Sequence, residues 1–267
     1  IWPIDNHQTV FIYHSHMKFL ALIPARYAST RFPGKPLAML GGKLVVQRVY
    51  EQATQAFDEV YVCTDDERIY NAVSSFGGKA VMTDSTLKSG TDRCWQACER
   101  LGTDADVVVN IQGDEPFVQK AQLEAVKGCF SIPDTQIATL VKPFSADDSF
   151  DTLANPNSPK VVLSKDMHAL YSSRSVVPFL RGVEQAEWLR LHTFYKHIGL
   201  YAYRKEVLGE ISRLPQGVLE KAESLEQLRW LENGYTIQVA LTDVETVGID
   251  TPADLQRAEL YLKNNKD

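Results

Sequence analysis

Long apolar runs are missing from this 267-residue chain. None approaches the roughly 20 residues that a membrane-spanning helix needs, which excludes that class. Cysteine is sparse: Cys63, Cys94, Cys98 and Cys129, with no Cys-x-x-Cys pair. A disulfide-stapled scaffold is excluded, zinc-ligand spacing is lacking, and the thiols read as reduced and partly buried in a reducing cytosol. Positive charge is in deficit, with 28 Lys and Arg against 34 Asp and Glu, a net −6. Such a chain is a poor general binder of nucleic acid. Internal repeats, heptads and low-complexity tracts are absent. What is present, 44% hydrophobic and 23% charged residues with 15 Gly and 12 Pro, suits one large globular domain or two small ones.

Residues 1–16 have no initiating Met, no Lys or Arg, and three of the six His (His7, His14, His16). They lack the basic start and apolar middle of a secretory signal and read as a leader or expression remnant outside the fold. His14-x-His16 is taken as part of a terminal tail in preference to a metal site. The domain is expected to run over 17–267.

From Met17 onward, short apolar runs alternate with helical patterns. Strands are expected at 18–23, 59–63, 79–82, 106–112, 136–142 and 236–241. Helices are expected at 43–57, 66–76, 91–101, 119–130, 218–233 and 252–264. This alternation predicts an α/β fold with a mostly parallel central sheet and helices on both faces. Ligands in such sheets bind beyond the carboxyl ends of the strands. The segment from about 143 to 203 breaks the pattern with Pro143, Pro156, Pro159 and Pro178. Its strand-like stretches at 160–164, 168–172 and 195–203 predict an inserted antiparallel substrate or dimerisation segment.

The acidic total hides a basic island. Between Met17 and Tyr50 stand Lys18, Arg26, Arg31, Lys35, Lys43 and Arg48 and no acid at all. Arg26, Arg31 and Lys35 sit at spacings of five and four in a loop after the first strand, Pro24-Ala25-Arg26-Tyr27-Ala28-Ser29-Thr30-Arg31-Phe32-Pro33-Gly34-Lys35-Pro36-Leu37. Fixed cations with small residues and free backbone N–H groups are what a polyphosphate needs. The loop is neither a Walker A motif, since Pro36 follows Gly34-Lys35, nor Gly-x-Gly-x-x-Gly. Taken alone it is equally a phosphate loop or a solvated basic loop.

Two acids end apolar stretches. Val107-Val108-Val109-Asn110-Ile111 runs into Gln112-Gly113-Asp114-Glu115-Pro116, and Val247-Gly248-Ile249 into Asp250-Thr251-Pro252. Mg²⁺ favours one or two carboxylates together with substrate phosphate oxygens and water, so Asp114 and Asp250 are candidate metal ligands. The alternative is that Asp114 caps a turn and Asp250 a helix, with Thr251 as N-cap and Pro252 at N1.

Together these segments resemble the 3-deoxy-manno-octulosonate cytidylyltransferases (CMP-Kdo synthetases) over Met17 to about Leu262. Further matching motifs are Ser89-Gly90-Thr91-Asp92-Arg93, Asn155-Pro156 with Lys160-Val161-Val162, Tyr171-x-Ser173-Arg174, His197-Ile198-Gly199-Leu200-Tyr201 and Leu219-Glu220-x-x-Glu223-x-Leu225-Glu226-Gln227-Leu228-Arg229. Two positions depart from the family pattern: Ser172 replaces a usual Phe, and Asp92 a usual Glu.

The resemblance implies a glycosyltransferase-A-like, nucleotide-diphospho-sugar transferase fold and a homodimer. It implies transfer of CMP from CTP to the sugar Kdo with Mg²⁺ as cofactor, for lipopolysaccharide synthesis in a Gram-negative cytoplasm, with no membrane or nucleic-acid partner. It implies that Arg26, Arg31, Lys35, Asp114 and Asp250 carry the chemistry and that Asp114 and Asp250 hold the metal. CTP would lie on Ala25, Arg26, Arg31, Lys35, Ser89, Gly90, Arg93 and Asp114. Kdo would lie on Gln112, Arg174, His197, Tyr201, Glu223 and Gln227, Arg174 gripping the carboxylate because a guanidinium can do so bidentately. The rivals are an acylneuraminate cytidylyltransferase, a sugar-1-phosphate nucleotidyltransferase and a non-catalytic nucleotide-binding module.

Overall fold

A computed structural model of the protein describes residues 17–245 and 248–264. The expected leader, 1–16, and Val247 lie outside the described residues. The strands are β1 (Phe19–Pro24), β2 (Met39–Leu40), β3 (Lys43–Leu44), β4 (Glu59–Thr64), β5 (Ala80–Met82), β6 (Val107–Asn110), β7 (Ile137–Pro143), β8 (Lys160–Leu163), β9 (Ala169–Ser173), β10 (Tyr195–Arg204) and β11 (Ile237–Leu241). The helices are α1 (Val45–Ala53), α2 (Glu67–Ser75), α3 (Gly90–Leu101), α4 (Lys120–Gly128), α5 (Phe150–Ala154), α6 (Trp188–Leu191), α7 (Lys205–Ile211), α8 (Val218–Glu223), α9 (Gln227–Glu232) and α10 (Pro252–Asn264).

The central sheet runs β11-β7-β10-β6-β1-β4-β5. β1 pairs in parallel with β4 and β6, β4 with β5, and β7 with β11, while β10 runs antiparallel between β6 and β7. This is the predicted mostly parallel α/β sheet. Its strands are buried on both faces, which is why they read as continuous apolar runs. One face packs Val46 and Val49 of α1, Ile69 and Val73 of α2 and Leu123 and Val126 of α4 against Ala21, Ile23 and Val109. The other packs Cys94 and Ala97 of α3 and Leu208 and Ile211 of α7 against Leu20, Leu22 and Val108. All four cysteines are buried and free.

Helix starts follow local chemistry. Asp66 caps α2 by accepting from the Arg68 amide at 2.9 Å. Ser89 caps α3 by accepting from the Asp92 amide at 3.0 Å, and the Asp92 carboxylate returns the contact to the Ser89 amide at 3.2 Å. Caps of this kind contribute about 1 kcal/mol each. The shorter Asp92 therefore still closes its box.

Three expectations change. The helix expected at 43–57 begins at Val45, because Lys43–Leu44 pair with Met39–Leu40 across Gly41 and Gly42, both at positive φ. The helix expected at 218–233 is two, because Ser224 adopts a left-handed φ of 51° between α8 and α9. The third strand-like stretch of the 143–203 segment, β10, is a central strand of the sheet. β8 and β9 form the antiparallel extension beside its first residues. The rest of that segment builds its own small core of Leu153, Trp188 and Phe194.

Candidate active site

β1 ends at Pro24, and the chain turns out over the sheet edge. The Ala25 amide still donates to the Cys63 carbonyl at 2.9 Å, and the loop closes where the Gly34 amide donates to the Tyr27 carbonyl at 2.9 Å. Gly34 sits at φ +71°, a conformation that L side chains rarely adopt. The next residue is Lys35, which starts a single 3₁₀ turn at Lys35–Leu37.

Beside β1, β6 ends in Gln112-Gly113-Asp114. A Cβ on Gly113 would lie 2.6 Å from the Pro24 carbonyl oxygen, so only glycine lets these two strand ends come so close. The segment carrying the second acid is tied to the first through its backbone, the Ile249 amide donating to the Asp114 carbonyl at 2.9 Å. Ile249 itself is fully buried with Leu40, Val45 and Ala258.

The three chain segments meet at one nitrogen. Lys35 Nζ lies 2.6 Å from Asp114 Oδ2 and 3.3 Å from Asp250 Oδ1. Arg31 Nη2 lies 3.1 Å from the same Asp250 oxygen. Helix capping at α10 is done by Thr251, whose hydroxyl accepts from the Asp254 amide, while Asp254 Oδ2 accepts from the amides of Asp250 and Thr251. The Asp250 carboxylate therefore faces the cations. Among the described residues no group of three or more His, Cys, Asp or Glu forms a metal cage. Two carboxylates that already share one cation do, however, match the protein's portion of a Mg²⁺ site. The neighbouring Glu115 carboxyl is pushed up to about 7 by burial, reinforced by the Asp114 and Asp250 charges and opposed by Lys196.

Around this point lies a cleft of about 250 Å³. It brings together Ala25, Arg26, Arg31, Lys35, Ser89, Gly90, Arg93, Gln112, Asp114 and Asp250, ten of the residues singled out in the sequence. Arg93 is buried and fixed: it donates to the Thr83 hydroxyl and reaches Asp65 Oδ2 at 3.2 Å. Asp65 is a residue the sequence reading missed, and nothing local distinguishes it from a turn residue.

The remaining five candidates, Arg174, His197, Tyr201, Glu223 and Gln227, do not line that cleft. His197 and Tyr201 share a face of β10. A bulge lies between Ile198 and Tyr201, yet their partners on β7, Val141 and Thr139, are two residues apart, and the two rings lie 5.2 Å apart. Burial lowers the His197 pKa to about 4, so the imidazole is neutral, with Nε2 at 3.4 Å from Thr139 Oγ1. The Tyr201 hydroxyl and Gln227 Nε2 are buried without hydrogen-bond partners, as are Asn110 Oδ1 and Glu226 Oε1. Asn110 stands opposite Tyr201 in the sheet register and next to Gly90. Asn110 and Glu226 were also missed. Their only signal was a polar residue in an apolar strand and an acid next to Gln227.

The expectation that Arg174 grips a substrate carboxylate meets a competing set of partners. Its guanidinium donates to the carbonyls of Glu223 at 2.6 Å, Pro156 at 2.9 Å and Ser224 at 3.2 Å. Glu223 in turn accepts from the Ser173 hydroxyl at 2.6 Å and the Arg174 amide at 2.9 Å. This pair holds β9 to the α8–α9 corner.

A cytidylyltransferase family model matches residues 20–238. The 3-deoxy-manno-octulosonate cytidylyltransferase of Bacteroides thetaiotaomicron is 68% identical over 248 residues, covering 93% of this chain and 99% of the relative. The solved structure of a CMP:2-keto-3-deoxy-manno-octonic acid synthetase complexed with CTP is 40% identical with a TM-score of 0.84, covering 92% of this chain and 99% of that one. A putative glucose-1-phosphate thymidylyltransferase from Bacillus anthracis shares the fold at 16% identity and a TM-score of 0.60, over 93% and 97% of the two chains. The architecture is that of the nucleotide-diphospho-sugar transferases.

Proposed function

The chain belongs to the 3-deoxy-manno-octulosonate cytidylyltransferases, and on that premise we propose that it transfers CMP from CTP to the anomeric 2-hydroxyl of Kdo. The observation that carries the proposal is the convergence of Lys35 with Asp114 and Asp250 in a cleft lined by Arg26 and Arg31. The sugar oxygen forms a bond to the α-phosphorus as the bond to the pyrophosphate oxygen breaks. Such displacements depend on positioning and charge offset more than on covalent help. Arg26, Arg31 and Lys35 hold the triphosphate and stabilise the departing pyrophosphate. Arg93, fixed by Thr83 and Asp65, forms with Ser89 and Gly90 the part of the cleft that would receive the base. Asp114 and Asp250 are the residues that would hold Mg²⁺, which when bound supplies charge for the phosphate oxygens and acidifies the attacking hydroxyl.

The sugar end is built from Gln112, His197, Tyr201 and Gln227, with Asn110 and Glu226 joining them. Buried polar atoms without partners are costly, about 1–3 kcal/mol each. Several around one strand support a polyhydroxylated ligand as the missing partner. Exposed Phe179 and Leu191 support the 143–203 segment as a homodimer surface. The product would serve lipopolysaccharide synthesis in a Gram-negative cytoplasm. No described helix is long and apolar enough to cross a membrane.

The test is pyrophosphate release from CTP with Kdo beside a sialic acid. Release dependent on Kdo is expected. Preference for the sialic acid would move the chain to the acylneuraminate enzymes, and CTP binding without turnover would leave a nucleotide-binding module.

A further inference from the structure

The β4–α2 junction carries two consecutive acids, and each holds an arginine. Asp65 holds Arg93, which lines the nucleotide cleft. Asp66 holds Arg68 edge-on, with Nε at 2.9 Å from Oδ1 and Nη2 at 2.6 Å from Oδ2. Asp66 is itself immobilised as the N-cap of α2. Arg68 does not reach the cleft lining. Its guanidinium carbon instead lies 3.3 Å from the centroid of the Tyr27 ring.

Tyr27 belongs to the basic loop, between Arg26 and Arg31. Its carbonyl accepts from Gly34, and its ring is packed so closely on that residue that a Cβ there would lie 3.0 Å from Cε2. One tyrosine thus joins both ends of the loop, following Arg26 in the chain and packing on Gly34, the residue before Lys35. A planar guanidinium can give its edge to a carboxylate and its face to a ring at the same time, which an ammonium cannot.

We propose that Arg68 is a positioning residue for the nucleotide: braced by Asp66 and laid on Tyr27, it sets the loop that presents Arg26, Arg31 and Lys35 to the triphosphate. The inference rests on the reading of that cleft as the CTP site. Substrate contacts are left to the loop cations, and Arg68 acts through their geometry.

The experiment compares Arg68→Ala and Arg68→Lys with the wild type, measuring kcat, the KM of each substrate, CTP affinity by calorimetry and Tm. The Arg68 side chain is 59% exposed, so both variants are expected to fold with Tm shifted by no more than about 2 °C. Arg68→Ala should raise the KM and Kd for CTP about tenfold by loosening the loop, with the KM for Kdo unchanged. Arg68→Lys, which keeps the charge and loses the planar face, should show the same defect. Wild-type CTP affinity in Arg68→Ala, or full rescue by Arg68→Lys, would overturn the proposal, the second result by assigning the effect to charge alone. Equal rises in both KM values would also overturn it, since they would mark a general loss of structure. Wild-type protein that fails to bind CTP would instead remove the cytidylyltransferase reading, before any variant is compared.

Discussion

The ends proposed for the nucleotide and for the sugar are prepared in opposite ways. At the first, Lys35, Arg31 and Arg93 each lie against an aspartate, Lys35 between two. At the second, the Tyr201 hydroxyl, Gln227 Nε2 and Asn110 Oδ1 are buried without hydrogen-bond partners. Ion pairs can be exchanged for phosphate and metal with little net change in charge. Unpartnered hydroxyls and amides gain only when a ligand supplies the missing hydrogen bonds. The comparison teaches that a charged substrate is anticipated by internal ion pairs, and a polyhydroxylated one by open hydrogen-bonding positions.

The comparison can be broken most forcefully at the two aspartates proposed to hold Mg²⁺. Asp250→Asn should abolish Mg²⁺-dependent pyrophosphate release, because one of the two carboxylates that lie against Lys35 is lost. Release that persists and still titrates with Mg²⁺ would put the metal elsewhere. Lys35→Ala should lower turnover by on the order of 10²-fold or more, and near wild-type kinetics would remove the lysine from the mechanism.

At the sugar end, Tyr201→Phe should raise the KM for Kdo about tenfold, a cost of roughly 1.4 kcal/mol. The ligand-free protein should meanwhile be as stable as wild type or slightly more so, since an unpartnered buried hydroxyl is removed. A clear loss of stability would mean that the hydroxyl is satisfied in the ligand-free protein. Arg174→Ala sharpens the contrast within the same region. Three carbonyls would lose their donor, so a destabilisation of about 2 kcal/mol is expected, with a smaller effect on the KM for Kdo. Unchanged stability with a raised sugar KM would return Arg174 to the role of carboxylate clamp.

The last test concerns pH. The His197 pKa falls from the ordinary 6.5 to about 4 in the fold, so the unfolded chain binds the extra proton first. Its contribution to stability is present above pH 6.5 and is lost as pH falls towards 4. Denaturation curves across that window should lose part of their slope in His197→Asn, and an unaltered slope would show that the ring is not held neutral.

How much could be read in advance depended on distance along the chain. The alternation of strands and helices was legible because each element's burial pattern is local. So was the basic loop, whose three cations fall within ten residues. The break at Ser224 was not legible, since the corner is held by Arg174, about 50 residues earlier. Nor was the part played by Tyr27, which in the sequence is one aromatic among many and acquires its role only when Gly34 and Arg68 close on it. Arg174 reads as a substrate ligand because its chemistry suits a carboxylate. The fold offers it three carbonyls first, and sequence carries no signal for that competition. Asp250 offered two roles, capping and ligation, and Thr251 took the first.

The sequence alone determined the class of fold, the family, and which side chains had the charge to handle a nucleoside triphosphate, because propensity, periodicity and local charge are properties of neighbouring residues. Only the tertiary structure decided that Lys35 would meet Asp114 and Asp250, residues 79 and 215 positions away. That meeting follows from β1 lying beside β6, from Gly113 admitting the Pro24 carbonyl, and from Ile249 being buried against the same edge. These are long-range packing choices settled by the burial of the whole sheet.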